Sequence, residues 1–246
     1  MKSKGIKIVL NRKNQQFCAG VGMTKGELVS NSYYSNLLHP KEKNVLNNYK
    51  YHLRKESYLL GRLSAKQAIA AMVGNNYPQS IFIDTGIFQF PVVRCPNMQN
   101  IQVSISHCDQ IGFSIAFPEE HPMGIDVEKI SIDKVNVVLS QLTEDEKKDL
   151  KTYNNIKGFT ALFSAKEALS KILRTGMMLD FKFLETEILK PKTNILECTF
   201  KHFGQYKALI YVQNEYVFSI ALPKKTNVNL EEIWRGINQM ASIAKE

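Results

Sequence analysis

The chain has one tryptophan, four cysteines and no apolar run near the roughly 18 residues that a membrane-spanning helix needs. The cysteines (Cys18, Cys95, Cys108 and Cys198) are scattered. Without a Cys-x-x-Cys spacing they outline neither a zinc site nor a disulfide framework, and they read as reduced thiols of a cytoplasmic protein. The charged start, Met1-Lys2-Ser3-Lys4, is followed by no apolar segment, so no signal peptide is expected. Low-complexity stretches and long linkers are also missing. What remains is 44% hydrophobic and 22% charged, a balance that supports a packed core and argues against wholesale disorder.

Acidic residues are scarce where basic ones gather. The first 60 residues carry eleven Lys and Arg against three acids (Glu27, Glu42 and Glu56), within a chain of formal charge +9. A basic lobe attracts polyanions: nucleic acid, a nucleotide cofactor or an acidic protein. No motif interleaves aromatic and basic residues as nucleic-acid readers do, so nucleic acid is not an expected partner, and neither is a membrane.

The chain repeats itself. Leu63-Ser64-Ala65-Lys66-Gln67-Ala68-Ile69 matches Phe163-Ser164-Ala165-Lys166-Glu167-Ala168-Leu169, and Phe113-Ser114-Ile115-Ala116-Phe117-Pro118 matches Phe218-Ser219-Ile220-Ala221-Leu222-Pro223. The echoes come in the same order, helix-like then strand-like. They predict an α+β protein made of two similar halves, 1–120 and 121–246, joined near Pro118 to Pro122, and packed as a monomeric pseudo-dimer. The basic half would bind cofactor and the second would carry the acids. Strands are expected at Ile6–Leu10, Ser80–Asp84, Gln102–Ser106, Gly112–Phe117, Met123–Glu128 and Tyr216–Leu222. Helices are expected at Lys55–Val73, at Gly158–Arg174 and from Thr143, where Thr143 and Glu146 form a capping-box pattern.

Chemistry gathers at two short motifs. In Gly124-Ile125-Asp126-Val127-Glu128 the two carboxylates are two residues apart and share one face of a strand. In Phe163-Ser164-Ala165-Lys166-Glu167-Ala168-Leu169-Ser170-Lys171, Glu167 and Lys171 are helical neighbours. Three carboxylates beside an ammonium suit magnesium and a polyphosphate. Each motif alone is equally well a solvated acidic strand end or an ordinary helix-surface ion pair. Lys166 is expected at the solvent-facing helix edge, within reach of a phosphate. His107, after Val103-Ser104-Ile105-Ser106, is placed at a strand end where it could donate to a phosphate oxygen. The first half holds Gln67 and Ala71 where the second has Glu167 and Lys171, and no counterpart of Gly124–Glu128 is evident there.

The order Ser106-His107, Gly124-Ile125-Asp126-Val127-Glu128, Phe163 to Lys171 resembles the 4′-phosphopantetheinyl transferases of the surfactin-synthetase type. The resemblance covers about residues 40–180. It implies magnesium-dependent transfer of phosphopantetheine from coenzyme A to a serine of an acyl or peptidyl carrier protein, releasing adenosine 3′,5′-bisphosphate. By position it implies Asp126, Glu128 and Glu167 as magnesium ligands, Glu167 as base, Lys171 and His107 on the pyrophosphate, and Lys41, Lys43, Arg54, Arg62, Ser106 and Lys166 as further coenzyme contacts. Ile130–Leu142 would meet an acidic carrier. Phe163 stands for the family's usual Trp and Ser104 for its Asn, while Gln89-Phe90-Pro91 replaces Gly-Lys-Pro, so a lysine near the phosphates is missing. That gap motivates the alternative of a weakly active relative that binds carrier or coenzyme A as an accessory.

Overall fold

The computed structural model describes residues 2–26, 36–74, 78–87, 89–95, 100–149, 155–192 and 195–242. The chain divides into two compact units, Met1–Pro122 with Asn227–Glu246, and Met123–Thr226. The division falls at Pro122, but residues 227–246 return to the first unit, whereas the sequence reading assigned them to the second.

In the first unit, β1 (Lys2–Arg12) and β2 (Gln15–Lys25) form a long hairpin. The helices α1 (Pro40–Asn48) and α2 (His52–Val73) follow, then the hairpin β3 (Phe82–Thr85) and β4 (Pro91–Arg94). A second long hairpin, β5 (Ile101–Cys108) and β6 (Ile111–Pro118), completes an antiparallel sheet. The second unit contains β7 (Gly124–Lys129), the short helices α3 (Val135–Ser140) and α4 (Glu144–Asp149), and the long α5 (Asn155–Leu173). Its strands β8 (Thr186–Lys192), β9 (Ile195–Phe200), β10 (Tyr206–Gln213) and β11 (Tyr216–Pro223) form a meander. Then β12 (Asn227–Val228) and α6 (Glu231–Ser242) rejoin the first unit. The sheets run β12-β1-β2-β6-β5 and β7-β11-β10-β9-β8. The fold is α+β, as expected.

The same motif is built twice. In each unit a strand is followed by a long helix and later by a hairpin whose second strand pairs with the first. In the first unit Gly20, Gly22 and Thr24 pair with Ala116, Ser114 and Gly112. In the second, Gly124, Asp126 and Glu128 pair with Ala221, Ser219 and Val217. The paired residues keep one constant offset on each strand, so the registers coincide. The counterpart of the acidic motif therefore exists after all, as Gly20-Val21-Gly22-Met23-Thr24, with its acids absent.

Glycine explains how helix and strand approach so closely. A β-carbon at Gly20 would overlap the carbonyl oxygen of Ala68, and one at Gly124 would overlap that of Ala168, the equivalent helix position. Apolar side chains fill the space beside each contact. Ala65, Ala68 and Ile69 meet Val103 and Ala116 in the first unit, and Ala165, Ala168 and Leu169 meet Ala208, Ile210 and Ala221 in the second.

A buried ion pair is also repeated. Lys66 donates to Glu42 at 2.9 Å and to the carbonyls of Pro78 and Ile81. Lys166 donates to Glu146 at 2.6 Å and to the Gln141 carbonyl at 3.1 Å. Each glutamate closes a helix-capping box, taking the backbone N–H of His39 and of Thr143 respectively. Burial pushes both lysines below the ordinary ammonium range while the paired glutamates oppose that shift. The expectation that Lys166 lies at a solvent-facing edge is overturned. Its side chain is 0% exposed and its donors are committed inside the unit.

Candidate active site in the second unit

The site starts from the two periods read in the sequence. The alternation of β7 puts Gly124, Asp126 and Glu128 on one face, and α5 covers that face. The strand is thus buried on both sides from Gly124 to Val127, not apolar on one side and solvated on the other. Ser164, Glu167 and Lys171, a polar stripe at helical spacing on α5, gather at this strand. Ser164, 0% exposed, donates to Asp126 Oδ2 at 2.8 Å. Two turns later, Lys171 Nζ donates to Asp126 Oδ1 at 2.8 Å and to the Ile125 carbonyl at 2.9 Å. Glu167 Oε2 lies 3.8 Å from the same ammonium. The closest partner of Lys171 is therefore a carboxylate on the neighbouring strand, not its helical neighbour, and the surface-pair reading fails.

Glu128 completes the group, with Lys134 Nζ 3.5 Å away. Burial, then the negative charge of Asp126, pushes Glu128 up to about 7, with Lys134 opposing. Burial also raises Glu167. Asp126 adds to that rise and Lys171 offsets part of it. Asp126 and Glu167 thus share the Lys171 ammonium while Glu128 faces Lys134, in a half-dry setting where Glu128 and Glu167 hold protons unusually well. The donor set fits a hard dication, because a second positive centre would relieve the repulsion. The ligands are not gathered as a ready cage: among the described residues no three His, Cys, Asp or Glu side chains are grouped to hold a metal. Both Asp126 oxygens are already bound, by Ser164 and Lys171.

The remaining expected residues lie in the first unit. His107 follows Val103 and Ile105 along one face of β5 and is exposed opposite Gly112, while Ser106 on the other face is buried. Lys41 stands over the Phe82 ring and Arg54 over Tyr49. Lys43 reaches the Asn36 side chain at 3.4 Å. Arg62 is mostly internal, stacked 4.7 Å over the Tyr58 ring and 3.9 Å from Glu42. Phe90 folds back against Gly86 at the end of the β3–β4 hairpin, where the Gly86 N–H donates to its carbonyl at 2.8 Å. The structure thus gathers Asp126, Glu128, Glu167 and Lys171 in one unit, while Lys41, Lys43, Arg54, Arg62, Ser106 and His107 belong to the other. Sequence reading missed Ser164 as a partner of Asp126, although its place in the polar stripe at helical spacing was the signal.

Residues 122–221 match the model of the 4′-phosphopantetheinyl transferase superfamily. That stretch is nearly the whole second unit and includes the entire cluster. No curated protein sequence gives a significant match. Among solved structures, the chain is similar to the Helicobacter pylori holo-[acyl-carrier-protein] synthase in complex with coenzyme A, at 21% identity and a TM-score of 0.32, over 42% of this chain and 99% of that one.

Proposed function

We propose that the chain is a phosphopantetheinyl transferase that moves 4′-phosphopantetheine from coenzyme A to a serine of an acidic carrier protein. The observation that carries this reading is the Asp126–Lys171–Glu167 arrangement with Glu128, inside the stretch that matches the superfamily model. In the reaction, the carrier serine oxygen attacks the β-phosphorus of coenzyme A. The new P–O bond forms as the bond to adenosine 3′,5′-bisphosphate breaks, and the serine proton goes to Glu167.

The raised Glu167 suits that role, since a base poised nearer neutrality both accepts and releases a proton. Lys171 would turn part of its charge toward the pyrophosphate, because phosphoryl transfer depends on positioning and charge stabilisation. Asp126, Glu128 and Glu167 would hold magnesium, which would supply charge neutralisation at the phosphates. Lys41, Lys43, Arg54, Arg62, Ser106 and His107 are kept as coenzyme contacts on the resemblance alone. Lys166 makes no coenzyme contact, because its ammonium is spent on Glu146. The segment Ile130–Leu142 exposes Ile132 and Val137 beside Lys134, a surface suited to an acidic carrier with an apolar contact.

The test is incubation with coenzyme A, magnesium and an apo carrier domain, read by intact mass. The carrier should gain one phosphopantetheine, and D126A should lose that gain while keeping the fold by circular dichroism. If the wild-type chain binds coenzyme A or carrier without any mass gain, the accessory reading motivated by Phe90 replaces the enzyme.

A further inference from the structure

The first unit contains a feature that the transfer reaction does not use. β1 pairs with β2 along its whole length, but on its other side it meets β12 only at Leu10 and Asn11. From Lys2 to Val9 that edge has no strand beside it among the described residues. An open edge presents a row of backbone donors and acceptors, and natural proteins usually cover or blunt it.

A groove of about 520 Å³ runs along this edge. Its lining includes Lys4 and Ile8 from one face of β1 and Lys7 and Val9 from the other. Side chains of both parities meet a single groove only where it follows the edge of the strand. The opposite wall is α6. That helix runs antiparallel to β1: Asn227 and Val228 pair with Asn11 and Leu10, Gly236 lies over Ile6 and Met23, and the Met240 carbonyl accepts from Lys25. A strand edge facing a helix across a groove is the arrangement in which peptides add as an extra strand.

Charge chooses the occupant and its direction. Glu231 and Glu232 lie at the end of the groove near Asn11, while Arg235 sits a turn further along, next to Gly236, which lies near Lys4 Nζ. Among the described residues Lys4, Lys7, Arg235, Glu231 and Glu232 enter no ion pair. A second copy of this chain would set lysines against lysines along the edge, which disfavours self-pairing. We propose that this groove docks an extended segment of another polypeptide as an antiparallel strand, with acidic side chains toward the segment's C-terminal end against Lys4 and Arg235. This proposal does not rest on the transfer reading.

The experiment is fluorescence anisotropy on the full chain with a labelled synthetic octapeptide of alternating valine and threonine. The peptide carries lysine at its N-terminal end and two glutamates at its C-terminal end. We expect saturable binding, weakened about tenfold by K4E on the strand and separately by R235E on the helix, the loss of one charge-assisted contact each. N-methylation of alternate peptide amides should abolish binding, and moving the glutamates to the N-terminal end should weaken it. The two variants lie on different elements, so misfolding of one, seen by circular dichroism, leaves the other decisive. No saturable binding at millimolar peptide overturns the proposal. So does equal binding of the N-methylated peptide, insensitivity to both folded variants, or a concentration-dependent dimer of the chain that excludes the peptide.

Discussion

At the scale of single residues, Asp126 draws its character from what surrounds it. A carboxylate 2% exposed would ordinarily be a liability, and here Ser164 and Lys171 satisfy one oxygen each. That leaves Glu167 with what remains of the Lys171 charge, and Glu128 with the Lys134 ammonium 3.5 Å away. E167Q keeps the shape and the hydrogen-bonding reach of the side chain but removes its basicity. Turnover should therefore fall by about 10²–10⁴ while the KM for coenzyme A stays within a few-fold; a change confined to KM would remove Glu167 from the base role. Glu128 gives a second prediction, in stability. In the unfolded chain it releases its proton near 4.5, and in the fold it keeps it to about 7. The folded state then binds more protons between those values, so metal-free stability falls as pH rises from about 4.5 to 7, by an amount on the order of 2 kcal/mol given its partial exposure. Urea titrations across that range should show the slope for wild type and a clearly smaller one in E128Q, the remainder coming from the likewise raised Glu167. An equal slope in both would place the titration elsewhere.

At the scale of elements, β7 and α5 form one device, and the close approach at Gly124 sets its spacing. Alanine there would collide with the Ala168 carbonyl and push the helix off the strand. G124A should cost about 3 kcal/mol and also reduce transfer, because Ser164, Glu167 and Lys171 ride on the displaced helix. G20A makes the same collision in the first unit, with Ala68. It should cost a similar amount, and a melting series on the two variants checks whether the repeated contact has repeated energetics. The sequence revealed this duplication where side chains were retained. Ser-Ala-Lys survives in both helices because its lysine is buried on a capping-box glutamate, and Phe-Ser-Ile-Ala survives because it forms the strand beside the helix. It hid the β2 copy, since Gly20-Val21-Gly22-Met23-Thr24 shares with β7 a backbone path and one glycine but none of the charges. It also hid the partner of Lys166. Thr143 and Glu146 were legible as a cap, yet nothing local says that the cap's carboxylate turns inward. The matching His39 and Glu42, at the same distance after Gly20–Thr24 as Thr143 and Glu146 are after Gly124–Glu128, were the available clue.

At the scale of the whole molecule, the two units carry different residues on one motif. The second holds Asp126, Glu128, Glu167 and Lys171 where the first has Gly22, Thr24, Gln67 and Ala71, and the first concentrates its basic excess in residues 1–60, with eleven Lys and Arg against three acids. The formal charge of +9 creates a field that acts before any contact forms. For an acidic carrier that field raises the encounter rate, and salt screens it over a Debye length of about 8 Å at physiological strength. The kcat/KM for an acidic carrier should therefore fall by about tenfold as ionic strength rises from low salt to 0.15 M, while kcat at saturating carrier changes little. A carrier variant with its surface acids replaced by glutamine should begin slower and lose most of the salt dependence. If both carriers respond to salt alike, the screening acts on coenzyme A rather than on the encounter, and varying coenzyme A at fixed carrier would then reproduce the whole effect.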